Sequence, residues 1–253
     1  MTKIKLHGTN GWFETENGKT SCVGVYTDNC VIILDIGTGF RDVDPNDTKD
    51  RQMYLFISHL HLDHIYGLHL LSLHSPSCLK IYIPEDLMEH FVAISKEPFV
   101  KSIENMEYPV EIVGIKPNWY YETFFSFQAL SLVHNTTAFC YRLDISNKSI
   151  SYSVDTKLCE NVYKISENAD VFICDAALKS NDNADGKFHM KINEAFKVAS
   201  KSNVKLLILT HFGALRYKSI KERELEAQSA ESEFNNYIVG IDGKEITLQT
   251  VLK

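Results

Sequence analysis

The sequence predicts an α/β protein, a four-layer αββα sandwich in one domain over residues 1–253. Three observations lead there. Short apolar runs read as buried strands, each half of the chain gathers several of them, and helical periodicities follow in each half. A chain of 253 residues with 44% hydrophobic and 23% charged residues has ordinary globular composition and can bury a sizeable core. No run reaches membrane-spanning length, and Met1-Thr2-Lys3-Ile4-Lys5 opens no signal-peptide segment.

Ile4–His7 is the first strand, and Gly8-Thr9-Asn10-Gly11-Trp12-Phe13 breaks it in a turn where the glycines should take positive φ. Thr20–Tyr26 and Cys30–Leu34 are strands joined by Asp28-Asn29, a hairpin-like connection. Asp35-Ile36-Gly37-Thr38-Gly39 follows, but no helix with dinucleotide-type spacing succeeds it, which disfavours a nucleotide-binding turn. Arg41–Arg51 is a polar surface stretch. Met53–Ile57 is a buried strand ending at Ser58. Leu79–Ile83 is another, and Pro84–Ser95 is expected as a helix opened by its proline. Residues 96–120 mix Pro98, Phe99, Pro109 and Pro117 with aromatics, and are expected as an irregular lid over a substrate or as core filling.

In the second half, Phe125–Val133 and Thr137–Ile145 are strands joined by His134-Asn135-Thr136, and Ser149–Val154 ends at Asp155. After a helical stretch, Val171–Cys174 is a buried strand capped by Asp175. Met190–Ser202 is a helix with Ile192, Ala195, Phe196, Val198 and Ala199 on its buried face. Val204–Thr210 is a strand ending at His211, Lys221–Phe234 a charged helix, and Tyr237–Leu252 a strand pair turning at Asp242-Gly243.

The chemistry concentrates in His59-Leu60-His61-Leu62-Asp63-His64. Side chains two apart on an extended chain share a face, so His59 and His61 converge, with Leu60 and Leu62 directed into packing. Ile65, Leu68 and Leu71 then follow a helical spacing, which sets Asp63 and His64 where strand becomes helix. Imidazole nitrogens with a carboxylate suit Zn²⁺, Mn²⁺ or Fe²⁺, and this many donors can hold two ions. His134, Asp155 and His211 each follow an apolar strand, the place from which a rigid metal site recruits its ligands.

H-x-H-x-D-H after a buried strand resembles the metallo-β-lactamase superfamily, in the hydrolase branch with two full metal sites. True β-lactamases of that fold usually lack the histidine at the position of His64, and flavodiiron oxidoreductases carry an acid at that of His61. The resemblance runs along nearly the whole chain and implies the sandwich fold. It also implies that His59, His61 and His134 bind one ion, Asp63, His64 and His211 the other, and that Asp155 bridges them. Asp35 then packs beneath the site without ligating. His7, His69, His74 and His90 lie outside this pattern and are read as structural or exposed.

Two divalent ions roughly 3.5–4 Å apart can share a water, lower its pKa toward neutrality and present hydroxide as nucleophile, with Asp63 placed to orient it. No G-x-S-x-G nucleophile motif is present. His189, expected to open the helix before His211, can hydrogen-bond a phosphoryl oxygen or protonate a leaving oxygen, the second catalytic role beside Asp63. Its placement resembles the phosphodiesterase branch, which includes ribonuclease Z and a small cyclic nucleotide phosphodiesterase. Leu209-Thr210-His211-Phe212, followed by Arg216-Tyr217, resembles the ribonuclease Z closing segment.

Ribonuclease Z, however, carries a long basic arm between the residues matching His134 and Asp155, and here only 20 residues separate them. Nor is the extra cysteine-rich zinc site of the small phosphodiesterase visible. Net charge is −7, so long nucleic acid is an unfavoured partner. The expected function is hydrolysis of small cyclic or short nucleotide phosphodiesters on two divalent transition-metal ions, Zn²⁺ first. The alternatives are a lactone, ester or thioester hydrolase on the same metals, ribonuclease Z-like tRNA processing, or a metal-binding module with a decayed site. Six cysteines without a C-x-x-C pair point to the cytoplasm, with no membrane partner and a homodimer admitted.

Overall fold

A computed structural model describes residues 2–230 and 233–248. Two seven-stranded sheets face each other. The first runs in the order Glu245–Thr247, Lys3–Gly8, Cys22–Tyr26, Cys30–Leu34, Gln52–Phe56, Cys78–Pro84, Val110–Ile115. It is antiparallel through Cys30–Leu34 and parallel beyond. The second runs Tyr237–Val239, Leu206–Thr210, Val171–Asp175, Lys148–Ser153, Phe139–Ile145, Phe125–Ser131, Asn118–Tyr121. Its first four strands are parallel and the remainder antiparallel.

Three apolar clusters define four layers, as the metallo-β-lactamase sandwich requires. Ile4, Leu6, Phe56 and Tyr82 meet Phe127, Tyr141, Ile150 and Ile208 between the sheets. Phe40, Leu68, Leu71 and Phe91 cover the outer face of the first sheet. Helices Glu160–Ser166, Ile192–Lys201 and Ile220–Ala230 cover that of the second. On Ile192–Lys201 the buried face is Ile192, Ala195, Phe196, Val198 and Ala199, as the periodicity predicts.

Several expectations are corrected. Residues 96–120 are partly the expected core filling, with Ile103 buried and Met106 and Tyr108 packed on the first sheet's outer cluster. They are not all irregular: Val110–Ile115 and Asn118–Tyr121 are edge strands that pass the chain from one sheet to the other. Their partly exposed edge positions hide the alternation that marks a half-buried strand. Pro84 ends a strand, and the helix behind it covers only Met88–Ile94 after a 3₁₀ turn. The chain around Asp242-Gly243 is a crossover rather than a hairpin, since Tyr237–Val239 and Glu245–Thr247 belong to opposite sheets. Residues 249–252 of that expected pair, and 231–232 of the last helix, lie outside the described residues; Glu233 and Phe234 are not helical.

In the turn at residues 8–13 the positive φ falls on Trp12, at 75°, rather than on a glycine. Gly11 answers a different need. A Cβ there would sit 2.4 Å from the His211 ring, because Asn10–Gly11 pairs with Phe212–Gly213 in a two-stranded ribbon. That ribbon ties the first sheet's turn to the second sheet's strand end. Buried Arg223 fixes it, donating from Nη1 to Thr9 Oγ1 at 3.0 Å and to the Gly240 carbonyl, and from Nη2 to Asn10.

Candidate metal centre

Parallel strands end together, and their carboxyl ends are where an open α/β sheet gathers functional side chains. In the second sheet Ser153 aligns with Cys174, and Asp175 with Thr210, so Asp155, Asp175 and His211 emerge along one edge. In the first, Leu34 aligns with Phe56, which sets Asp35 beside Ser58 and His59. Asp35, Asp155 and His211 all take positive φ, at 56°, 53° and 56°. This left-handed conformation ends each strand abruptly and turns the side chain into the site, at a strain that packing must hold.

The sequence-predicted donors converge. His59, His61, His134 and Asp155 offer ligand atoms within 4.8 Å of one another, and so do Asp63, His64 and His211. Asp155 spans the two groups: Oδ1 lies 2.8 Å from His211 Nε2 and 3.1 Å from His64 Nε2, Oδ2 3.8 Å from His59 Nε2 and 3.9 Å from His134 Nε2. Asp63 Oδ2 is 3.5 Å from both His64 Nε2 and His211 Nε2.

The chemistry of this donor set fits cations. Among the described residues no lysine or arginine pairs with Asp35, Asp63, Asp155 or Asp175, so their charge is met only by histidines. Imidazole nitrogens face each other at 3.2 Å in two places, His61 Nδ1 with His134 Nε2 and His64 Nε2 with His211 Nε2. His59 Nε2 is buried and without a hydrogen-bond partner. Burial, reinforced by neighbouring His64, holds the His59 pKa well below the usual imidazole value, and burial pushes that of His134 down to about 4. Both are then neutral, the form that ligates. Burial opposes the charge on Asp155, yet His211 and His64 beside it keep its carboxyl far below the ordinary range. The converse holds for His64 and His211, whose pKa values the acids raise against burial.

A supporting layer fixes these orientations. Asp35 Oδ2 accepts from His64 Nδ1 at 2.7 Å, from Ser58 Oγ at 2.8 Å and from Tyr152 Oη at 2.8 Å, while Oδ1 accepts from the Ser58 amide at 2.7 Å. Ser58 Oγ also lies 3.0 Å from His59 Nδ1. The Trp12 amide donates to Asp63 Oδ2 at 2.7 Å. Asp35 is thus beneath the site and not in either donor group, in line with the resemblance.

His189 stands at the rim, with its side chain 28% exposed. Its helix begins at Ile192, with Lys191 as N-cap, so His189 precedes the helix and does not open it. Asp175 holds it instead: His189 Nδ1 lies 3.2 Å from Asp175 Oδ2 and 4.0 Å from Asp155 Oδ2. Burial lowers the His189 pKa, but Asp175 and then Asp155 outweigh it and set the value above the usual one. The reading by sequence missed Asp175 as a positioning group, although it ends an apolar strand just as His211 does. It also directed Leu62 into packing; Leu62 is 73% exposed and lines the cleft. His7 and His74 are buried on Tyr26 and Thr48, while His69 and His90 are exposed.

A family model described as the beta-lactamase superfamily domain matches residues 32–212. The chain belongs to that superfamily. It is similar to the ribonuclease Z of Rippkaea orientalis (strain PCC 8801 / RF-1), 30% identical over 166 residues covering 60% of this chain. The match spans about half, 51%, of that relative's length. Among solved structures, the metallo-beta-lactamase fold protein YhfI from Bacillus subtilis superposes with a TM-score of 0.80 at 19% identity, covering 98% of this chain and all of that one. The short form of human tRNase Z gives 0.75 at 19% identity, covering 97% and 99%. A diphosphatase of the PhnP family gives 0.74 at 15% identity, covering 98% of each. These structures share the fold.

Proposed function

We propose that this chain is a dinuclear metal-dependent phosphodiesterase of small cyclic or short nucleotides. His59, His61 and His134 hold one ion, Asp63, His64 and His211 the other, and Asp155 serves both. The donors suit Zn²⁺ first and accommodate Mn²⁺ or Fe²⁺. When bound, such ions supply a water acidified toward neutrality and positive charge for the phosphoryl oxygens. The chain's own residues do the remainder. Asp63, its carboxylate steadied by the Trp12 amide, accepts a hydrogen bond from the attacking water and aims it. His189 carries the proton that the departing oxygen needs.

The observation that carries this reading is the His189–Asp175 pair. His189 also lies near enough to Asp155 and His211 to share a cation. Its Nδ1, however, is turned to Asp175, which leaves Nε2 for a substrate atom and raises the ring's pKa against the effect of burial. A proton donor at that rim serves a phosphodiester with a poor alkoxide leaving group. Thioester hydrolysis, whose thiolate departs without a proton, has less use for it, whereas a lactone also releases an alkoxide. Against tRNA stands the stretch between His134 and Asp155, which the strands Phe139–Ile145 and Lys148–Ser153 occupy where a tRNA-binding arm would branch. All six cysteines are unpaired, in agreement with a reducing cytoplasm.

His189→Ala tests the assignment. Loss of a general acid should slow hydrolysis of a 2′,3′-cyclic nucleotide, whose ribose oxygen departs as an alkoxide, by about 10²–10⁴-fold. Bis-nitrophenyl phosphate, whose leaving group needs no proton, should suffer clearly less at equal metal content. Equal slowing would make His189 a stabiliser of a phosphoryl oxygen. No slowing of either would remove the general-acid role on which the phosphodiesterase reading leans.

A further inference from the structure

The cleft over the metal centre encloses about 660 Å³, in the size range of small-molecule sites, and its borders differ in chemistry. Trp12 and Leu62 stand beside Asp63, and Leu215 lines the same cleft; these apolar side chains are 68%, 73% and 52% exposed. The lining also includes Lys187, which makes no ion pair among the described residues, and Arg216, whose one ion pair there is with Asp182 at 3.7 Å.

Trp12 is costly where it is. A bulky residue at φ 75° is a conformational outlier, and the exposed indole recovers little by burial, its ring meeting Phe13 edge-on at 5.3 Å. The backbone is nevertheless held there on both sides. Gly11 is locked against His211 by the ribbon with Phe212–Gly213, and the Trp12 amide is locked on Asp63. An indole presented to solvent on such a rigid mount, one residue from a metal-site contact, is a platform for a flat ring.

Resting on the phosphodiesterase reading above, we infer that Trp12 is the specificity residue of this site. Its indole stacks on the base of a nucleotide whose phosphodiester lies over Asp63 and Asp155. Leu62 and Leu215 complete the apolar seat, and Lys187 and Arg216 attract the substrate's negative charge. Stacking tolerates any base, since each has a π-face, so the site selects for the presence of a base more than for its identity.

The test uses the metal-loaded protein and two five-membered cyclic diesters, a 2′,3′-cyclic purine nucleotide and glycerol 1,2-cyclic phosphate, which has no base. Trp12→Ala should reduce the ratio of kcat/KM between them by roughly 10-fold or more, mainly through KM for the nucleotide. Trp12→Phe should restore most of the ratio. Trp12→Gly relieves the positive φ, so it should keep the wild-type melting temperature while losing the preference. A direct binding readout exists as well, because the chain has two tryptophans. With Trp119→Phe, quenching of the remaining fluorescence by the nucleoside 3′-monophosphate product should persist, and with Trp12→Phe it should vanish. An unchanged ratio in Trp12→Ala, with the nucleotide still well hydrolysed, would overturn the role of Trp12 alone. Failure of the wild-type protein to hydrolyse either diester would overturn the phosphodiesterase reading and this inference with it.

Discussion

Asp35 Oδ2 lies 2.7 Å from His64 Nδ1, with both side chains fully buried. The contact commits the His64 Nδ1 proton to a carboxylate and leaves Nε2 to face Asp155, Asp63 and His211. Such partners set the tautomer and ring orientation of a ligating histidine, and their loss typically costs about 10–100-fold in metal affinity. Asp35→Ala should therefore weaken the ion held by Asp63, His64 and His211 by roughly that factor, and the other ion less. Competition with a chelator of known affinity measures both. Equal, wild-type affinities at the two sites would show that the contact is only structural.

The same geometry sets the stoichiometry. Protein purified without chelator and offered Zn²⁺ or Mn²⁺ should carry close to two ions per chain, since two donor groups share Asp155. His64→Ala should lose mainly one of them. Elemental analysis finding no bound metal would remove the basis of the assignment.

How far this was legible in the sequence varies with the physics involved. The donors were readable because each follows an apolar run, and a strand end is a rigid place to hold a ligand. The helix Ile192–Lys201 was readable because its periodicity is strong. Three features were hidden. The left-handed conformations of Asp35, Asp155 and His211 leave no trace in residue type, because tertiary contacts impose them. The edge strands Val110–Ile115 and Asn118–Tyr121 lack a clear two-residue alternation. The pairing of His189 with Asp175 joins residues on different segments, and the helix-start reading of Met190 concealed it.

Acid should destabilise the fold through a residue outside the site. His7 is buried with Nε2 2.7 Å from Tyr26 Oη, and burial pushes its pKa from 6.5 down to about 4. The unfolded chain then binds more protons than the folded one between those values. Stability is fully present above about pH 6.5 and falls as the pH drops toward 4. At about 1.36 kcal/mol per pKa unit this amounts to roughly 2–3 kcal/mol by pH 4. Urea denaturation at pH 7.5 and 4.5 should show a smaller acid loss in His7→Gln than in the wild-type protein. Identical losses would contradict the assignment, since buried His74 titrates alike in both.

The central claim is the electrophile, and kcat/KM measured side by side on one metal-loaded preparation tests it most directly. The panel is a 2′,3′-cyclic nucleotide, a lactone, a thioester and a precursor tRNA at physiological salt. The cyclic nucleotide should be turned over far better than the lactone and thioester, and the tRNA processed very poorly, given a net charge of −7 and strands between His134 and Asp155. A lactone or thioester that outpaces the nucleotide, or efficient cleavage of the tRNA, would contradict the account.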